Sequence, residues 1–537
     1  MFARPLSRRN CARGHEARRI PKDSGNTGFA DEVGVLARLR SAAVFGVEAY
    51  PVQIEVDVSF GLPSFTMVGL PDTTVRESRD RVRLAIRNSG LDFPPHRITV
   101  NLAPADVRKA GSSFDLPIAL GVLATTGQLA PSALDDTLVL GELSLDGGIN
   151  AIRGVLPIAV AARRLGLTRL LLPPQNAPEA CVVDGLTVCV VRSLAEALEA
   201  LRSPDTAVAC SAAVPEMTAT PCDGDLADVR GQLLARRALE VAAAGGHNLL
   251  LVGPPGAGKT MLARRLGGIL PPLTFEEALE CTAIHSVAGT LPPGSGLLTW
   301  RPFRAPHHTI SNVALVGGGA IPRPGEISLA HNGVLFLDEM PEFDRRVLEV
   351  LRQPLEEGRV TIARAARTAV FPSRFVLIAA MNPCPCGFLG DERRACRCTP
   401  ANIARYRGRL SGPLRDRLDL IVEVPAVLIS AIADAVPGES SLSVRERVLA
   451  ARRFQHARYG GEGPRTNADL RGGAVATHCR PDAKGHALLL AAAKQLGLSA
   501  RGYDRVLKVA RTIADLARSD RVEREHVAEE LQYRLVE

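Results

Sequence analysis

With 537 residues, 46% hydrophobic and 23% charged side chains, the chain is too long for one fold and too apolar to be largely disordered, so three or four domains are expected. A formal net charge of +8 and a pI near 9.1 are a mild basic excess for 57.1 kDa, compatible with a polyanionic partner and too weak to name one. The apolar run 155–172 is cut by Arg163, Arg164 and Arg169, which excludes a membrane-spanning helix there, and eleven irregularly spaced cysteines without a signal-peptide core point to a reducing cytoplasm.

Residues 1–34 are polar and Arg-rich with no sustained period, and are expected to be a disordered extension from a misassigned start rather than an organellar leader. Beyond them Val52, Ile54, Val56 and Val58 alternate with Gln53, Glu55, Asp57 and Ser59, the period of a half-buried strand. Helices at 73–89, 116–126 and 157–165 then alternate with strands at 98–102, 138–140 and 169–172, which gives an α/β domain over 35–202. Residues 203–228, rich in Ser, Thr, Ala, Pro and Asp, read as a linker. A second α/β domain over 229–440 opens with a helix at 232–244 and an apolar strand at 248–252. From about Arg445 the pattern is helical, so 441–537 is an all-α unit.

Gly253, Pro254, Pro255, Gly256, Ala257, Gly258, Lys259 and Thr260 spell G-x-x-x-x-G-K-[ST] between that strand and a helix at 261–270, the context in which such a loop cradles phosphates. A nucleoside triphosphate is therefore expected, with Lys259 on the β/γ oxygens and Thr260 on Mg²⁺. Four apolar residues, 334–337, lead into Asp338 and Glu339, as a buried parallel strand presents acids at its C-terminal edge. Asp338 is expected to hold Mg²⁺ through water and Glu339 to polarise the attacking water. A third apolar strand, 375–380, ends at Asn382, placed to orient that water or sense the γ-phosphate.

Cys384, Cys386, Cys396 and Cys398 put four thiols within fifteen residues, enough for a closed Zn²⁺ site, although C-x-C pairs are less usual ligands than C-x₂-C; the alternative is a redox-sensitive or structural loop. His307 and His308 are read as structural or near the nucleotide rather than as ligands. Residues 357–372 read as a β-hairpin with Arg364 and Arg367 at its turn, candidates to hold DNA phosphates without reading sequence. The basic segment 393–409 is a second such candidate, without aromatic interleaving.

The runs Arg301-Pro-Phe-Arg-Ala-Pro-His-His308, Gly317-Gly-Gly and 324–339, PGEISLAHNGVLFLDE, resemble the magnesium-chelatase-like AAA+ proteins of the YifB/ComM type, and the similarity covers about 35–537. The resemblance implies a Lon-protease-like (S5 D2-like) N-terminal domain, a central AAA+ P-loop αβα domain with a helix-2 insert and pre-sensor-1 hairpin, and a C-terminal all-α lid. It also implies Asn382 as sensor 1, Arg417 as the arginine finger met by a ring partner, and Arg501, opening a helix able to fold over the site, as sensor 2. Family members of the ComM kind are hexameric, ATP-driven branch-migration motors on DNA in natural transformation, and usually begin near Val35. Ser112 or Ser113 lies near the Lon nucleophile position, but no lysine occurs between Lys109 and Lys259 to serve as its base, so no peptidase activity is expected. Two rivals remain: a magnesium-chelatase-like metal-insertion subunit, and a nucleotide-dependent regulator that does no mechanical work.

Overall fold

In a computed structural model, the chain is described over residues 36–109, 111–203, 209–210, 216–218, 220–221, 224–292, 294–319, 321–363, 367–391, 394–426, 438–460 and 463–534. The N-terminal extension and Arg364 lie outside these residues. No described helix is long and apolar enough to cross a membrane.

The first unit is built on strands β1 (Ala37–Phe45), β2 (Glu48–Ser59), β3 (Ser64–Val68), β4 (Arg97–Ala103) and β5 (Thr137–Val139), a small hairpin of β6 (Glu142–Leu143) and β7 (Ile149–Asn150), then β8 (Arg169–Leu172), β9 (Thr187–Val190) and β10 (Ala209–Cys210). Apart from the hairpin they form one mixed sheet in the order β10-β9-β8-β5-β1-β2-β4-β3. In β2, Val52, Ile54 and Val56 point inward, as the alternation requires, onto helix Asp115–Thr125, which is buried along nearly its whole length. Helix Thr73–Asn88 starts where the Asp72 carboxylate accepts the Val75 amide at 2.8 Å. The expected linker is not structureless: β10 pairs antiparallel with β9 and extends the sheet past Arg202. Short strands of this kind depend on the neighbouring edge, not on local pattern.

The second unit carries β11 (Leu249–Val252), β12 (Phe303–Arg304), β13 (Gly317–Gly318), β14 (Arg323–Pro324), β15 (Val334–Leu337), β16 (Arg359–Ala363), β17 (Thr368–Pro372), β18 (Val376–Met381) and β19 (Leu420–Glu423). Five of these make an all-parallel sheet, β12-β15-β18-β11-β19. Its central strands are buried on both faces: Leu249 and Leu251 pack with helices Leu233–Gly245 and Lys259–Ile269, while Leu250 and Val252 face Phe343, Leu348 and Phe371. The hairpin expected around 357–372 forms as β16 and β17.

The C-terminal helices are not a detached flap. Val444, Val448 and Ala451 of helix Ser441–Tyr459, with Val509 and Ile513 of helix Ala500–Leu516, share one core with Ala238, Leu239 and Leu262 of the second unit. The first unit docks through Leu156 and Val182, which pack on Leu273, Ala278 and Cys281, and through buried Glu179, which accepts the Leu156 amide at 2.7 Å and the Ser286 hydroxyl. Burial raises the Glu179 carboxyl above its ordinary range, opposed by those hydrogen bonds.

Candidate nucleotide site

Sheet register assembles the site. Val252 pairs with Met381 and Leu337 with Ala379, so the chain segments after β11, β15 and β18 leave the same sheet edge together. The phosphate loop turns back at Gly256 (φ 77°) and Gly258 (φ 89°), left-handed values that a side chain disfavours, and Gly258 caps helix Lys259–Ile269. The helix N-terminus faces the loop, the arrangement that favours an anion. A cavity of about 380 Å³ lies there, lined by the loop with Asp338, Glu339 and Asn382.

The Lys259 ammonium donates to the carbonyls of Gly253 (2.7 Å) and Pro254 (2.9 Å) and to Asn382 Oδ1 (3.1 Å). Burial lowers its pKa, opposed by the charges of Asp338 and Glu339. A phosphate placed against it removes that penalty. The Thr260 hydroxyl donates to Asp338 Oδ2 at 2.6 Å, so the two oxygen groups expected to serve a magnesium ion already touch. Hard oxygen donors beside a phosphate cradle fit Mg²⁺ better than a softer metal. Asp338 Oδ1 accepts the Glu339 amide at 2.9 Å, which fixes the carboxylate by its own backbone.

Glu339 is one of few non-glycine residues at positive φ (50°), strain of a kind that gathers at functional sites. Its half-exposed carboxylate lies 3.8 Å from His308 Nδ1, and the His308 ring packs on His307 at 4.1 Å between centroids. The histidine pair thus belongs beside the candidate base. Its sequence signal was only a motif shared with relatives, because no spacing links 308 to 339.

Arg417 and Arg501 are brought together elsewhere. Arg417 donates to Glu356 and to the Pro413 carbonyl (2.6 Å), and Arg501 approaches the same Glu356 carboxylate at 3.7 Å. Hydrogen bonding and charge from Arg417 hold the Glu356 carboxyl below its usual range, with Arg501 and Arg471 adding to it. The three residues line a polar cleft of about 920 Å³ with Arg374, Arg465 and Lys508. Neither arginine is among the described residues lining the nucleotide cavity. Helix Ala500–Leu516, which Arg501 was expected to bring over the site, is anchored in the shared core by Val509 and Ile513, and Arg501 lies at the Glu356 cleft.

Just before β17, the Arg367 guanidinium lies over the rings of Phe45 (5.5 Å) and Tyr50 (5.6 Å), so Arg367 contacts the first unit at its β1–β2 corner. In that unit the Ser112 hydroxyl donates to Glu142, and the buried Lys109 ammonium donates to the Pro104 carbonyl. The four cysteine sulfurs after Asn382 lie within 4.8 Å of one another.

Three family models match this chain: "Magnesium chelatase, subunit ChlI" over residues 225–432, "Subunit ChlI of Mg-chelatase" over 54–176, and "Magnesium chelatase, subunit ChlI C-terminal" over 438–534. The chain is 46% identical over 509 residues to the YifB protein of Salmonella typhimurium, covering 94% of this chain and 97% of that one. It is also 46% identical over 507 residues to competence protein ComM of Haemophilus influenzae, covering 93% and 97%. A weaker likeness, 25% over 212 residues, 36% of this chain and 37% of the other, is to Lon protease 2 of Bacillus subtilis.

Proposed function

Because the chain belongs to the magnesium-chelatase-like AAA+ family that includes YifB and ComM, we propose that it is an ATP-hydrolysing ring motor acting on branched or single-stranded DNA. The observation that carries the ATPase reading is the convergence of Lys259, the Thr260–Asp338 pair, Glu339 and Asn382 on one sheet edge. On ATP binding Lys259 exchanges its loop carbonyls for phosphate oxygens. Thr260 and Asp338 would hold Mg²⁺, which supplies charge neutralisation of the phosphates when bound. Glu339 takes the proton of the attacking water, and Asn382 orients that water.

The same reading makes Arg417 the arginine finger and Arg501 the sensor, both acting on the nucleotide of a neighbouring copy. Their place in the Glu356 cleft, outside the lining of the chain's own nucleotide cavity, supports this, and a closed ring, hexameric by family resemblance, supplies such a neighbour. We assign 35–202 to a Lon-like assembly domain without peptidase chemistry, 229–440 to the ATPase core and 441–537 to the lid; the family models divide the chain at similar points.

The DNA part rests on the name of the Haemophilus relative, a competence protein, and on the net charge of +8. The test is ATP turnover by the purified full chain with and without forked DNA, beside Glu339→Gln. Stimulation by DNA that disappears in the variant is expected. Turnover indifferent to DNA and raised by a porphyrin would instead favour metal insertion, the reading suggested by the family models' name, and absence of turnover would favour a regulator.

A further inference from the structure

The loop between β18 and helix Pro400–Arg407 does more than connect them. Cys384 is fully buried, and Cys386, Cys396 and Cys398 are partly so. The Sγ–Sγ separations are 3.4 Å for 384–386 and 3.6 Å for both 384–396 and 386–396. These are far longer than a disulfide, whose sulfurs stand about 2.05 Å apart. They match a tetrahedron: four sulfurs about 2.3 Å from a central Zn²⁺ are about 3.8 Å from one another. Backbone amides also aim at sulfur, since Cys386 accepts from Phe388 and Arg397 and the Cys398 amide donates to Cys396 Sγ at 3.4 Å. Amides pointed at thiolates are what a dianionic tetrathiolate centre requires around it. The guanidinium of Arg394 lies over the Phe388 ring at 5.2 Å and ties the two halves of the loop together.

The place of this cluster gives it a role. Asn382, which holds Lys259 in the nucleotide cavity, is two residues before Cys384. Gly387, at φ 84°, lies so close to the phosphate loop that a Cβ there would stand 2.6 Å from Pro255 Cδ. The cysteine loop is therefore packed against the phosphate loop while it carries Asn382.

We propose that Cys384, Cys386, Cys396 and Cys398 bind one Zn²⁺ ion through four thiolates, and that this centre fastens the loop presenting Asn382 beside the phosphate loop. Binding releases the thiol protons and changes no oxidation state. The cysteines act through Asn382 and are positioning residues, so zinc loss lowers the rate of hydrolysis more than the affinity for ATP.

The test uses the full chain purified without added metal. Elemental analysis is expected to give one zinc per chain, released on titration with a mercurial reagent. Cobalt added after stripping is expected to give the sulfur-to-metal and ligand-field bands of a tetrahedral tetrathiolate. Cys386→Ser with Cys398→Ser is expected to lose the metal, while Cys189→Ala in the first unit's sheet keeps it. Stripping the wild-type protein should lower kcat about tenfold with KM for ATP within about twofold, and Zn²⁺ should restore it; this arm stands even if the double variant fails to fold. Less than a tenth of an equivalent of zinc overturns the site. One iron per chain overturns the choice of metal. Full zinc with turnover unchanged on stripping overturns the coupling to Asn382.

Discussion

The nucleotide cavity and the arginine cleft are built in opposite ways. In the cavity, strand register alone delivers Lys259, Asp338, Glu339 and Asn382 to one sheet edge, with the contacts of Lys259 and Thr260 between 2.6 and 3.1 Å. In the cleft, Arg417 and Arg501 come from different units and are gathered around one carboxylate, Glu356, with further arginines around them. In our proposal one region holds groups that bind phosphates and activate water; the other holds cations paired with an acid. A single chain thus carries two incomplete halves, and a neighbouring copy is what joins them in our proposal.

The largest break in this comparison is expected from Lys259→Ala, which removes the phosphate contact and should abolish both ATP binding and turnover, read by nucleotide titration and phosphate release. Arg417→Ala should lower kcat by about 10³-fold, the scale of a missing arginine finger, and leave ATP affinity of the isolated chain within about twofold. Loss of affinity comparable to Lys259→Ala would place Arg417 in the wrong half. Glu356→Gln frees both arginines from their acid and should raise basal turnover about two- to fivefold, the range of an exposed ion pair. Because Arg417 depresses the Glu356 carboxyl, the pair is intact above the ordinary carboxylate range and opens only as pH falls through the lowered value, so the rates of the wild type and of the Glu356→Gln variant should converge there. Phe45→Ala is the smallest: it removes one ring under Arg367 and should lower the thermal midpoint by about 1 to 4 °C without changing turnover.

The first half was legible in the sequence because its chemistry is local. The phosphate loop, the acids after β15 and the polar end of β18 each follow a short apolar run, and parallel pairing then dictates their meeting. The cysteine loop and the hairpin were legible for the same reason. The second half was not, since nothing near Arg417 or Arg501 announces Glu356, and the amphipathic helix that carries Arg501 gave no sign of the surface its apolar face would choose. The packing of Arg367 on Phe45 and Tyr50 was equally hidden, because it joins residues some three hundred positions apart. Edge strand β10 escaped notice because two residues in a Ser/Pro-rich stretch carry no period.

The most direct test mixes two inactive variants. Glu339→Gln spoils the cavity half and leaves the arginine half whole; Arg417→Ala does the reverse. If a neighbour completes each site, equal mixing before assembly restores a wild-type site wherever an Arg417→Ala cavity meets a Glu339→Gln neighbour, roughly a quarter of sites in a random ring. We expect turnover to rise from near zero toward that fraction. A mixture as inactive as its two components, under conditions where the subunits are shown to exchange, would contradict the shared site.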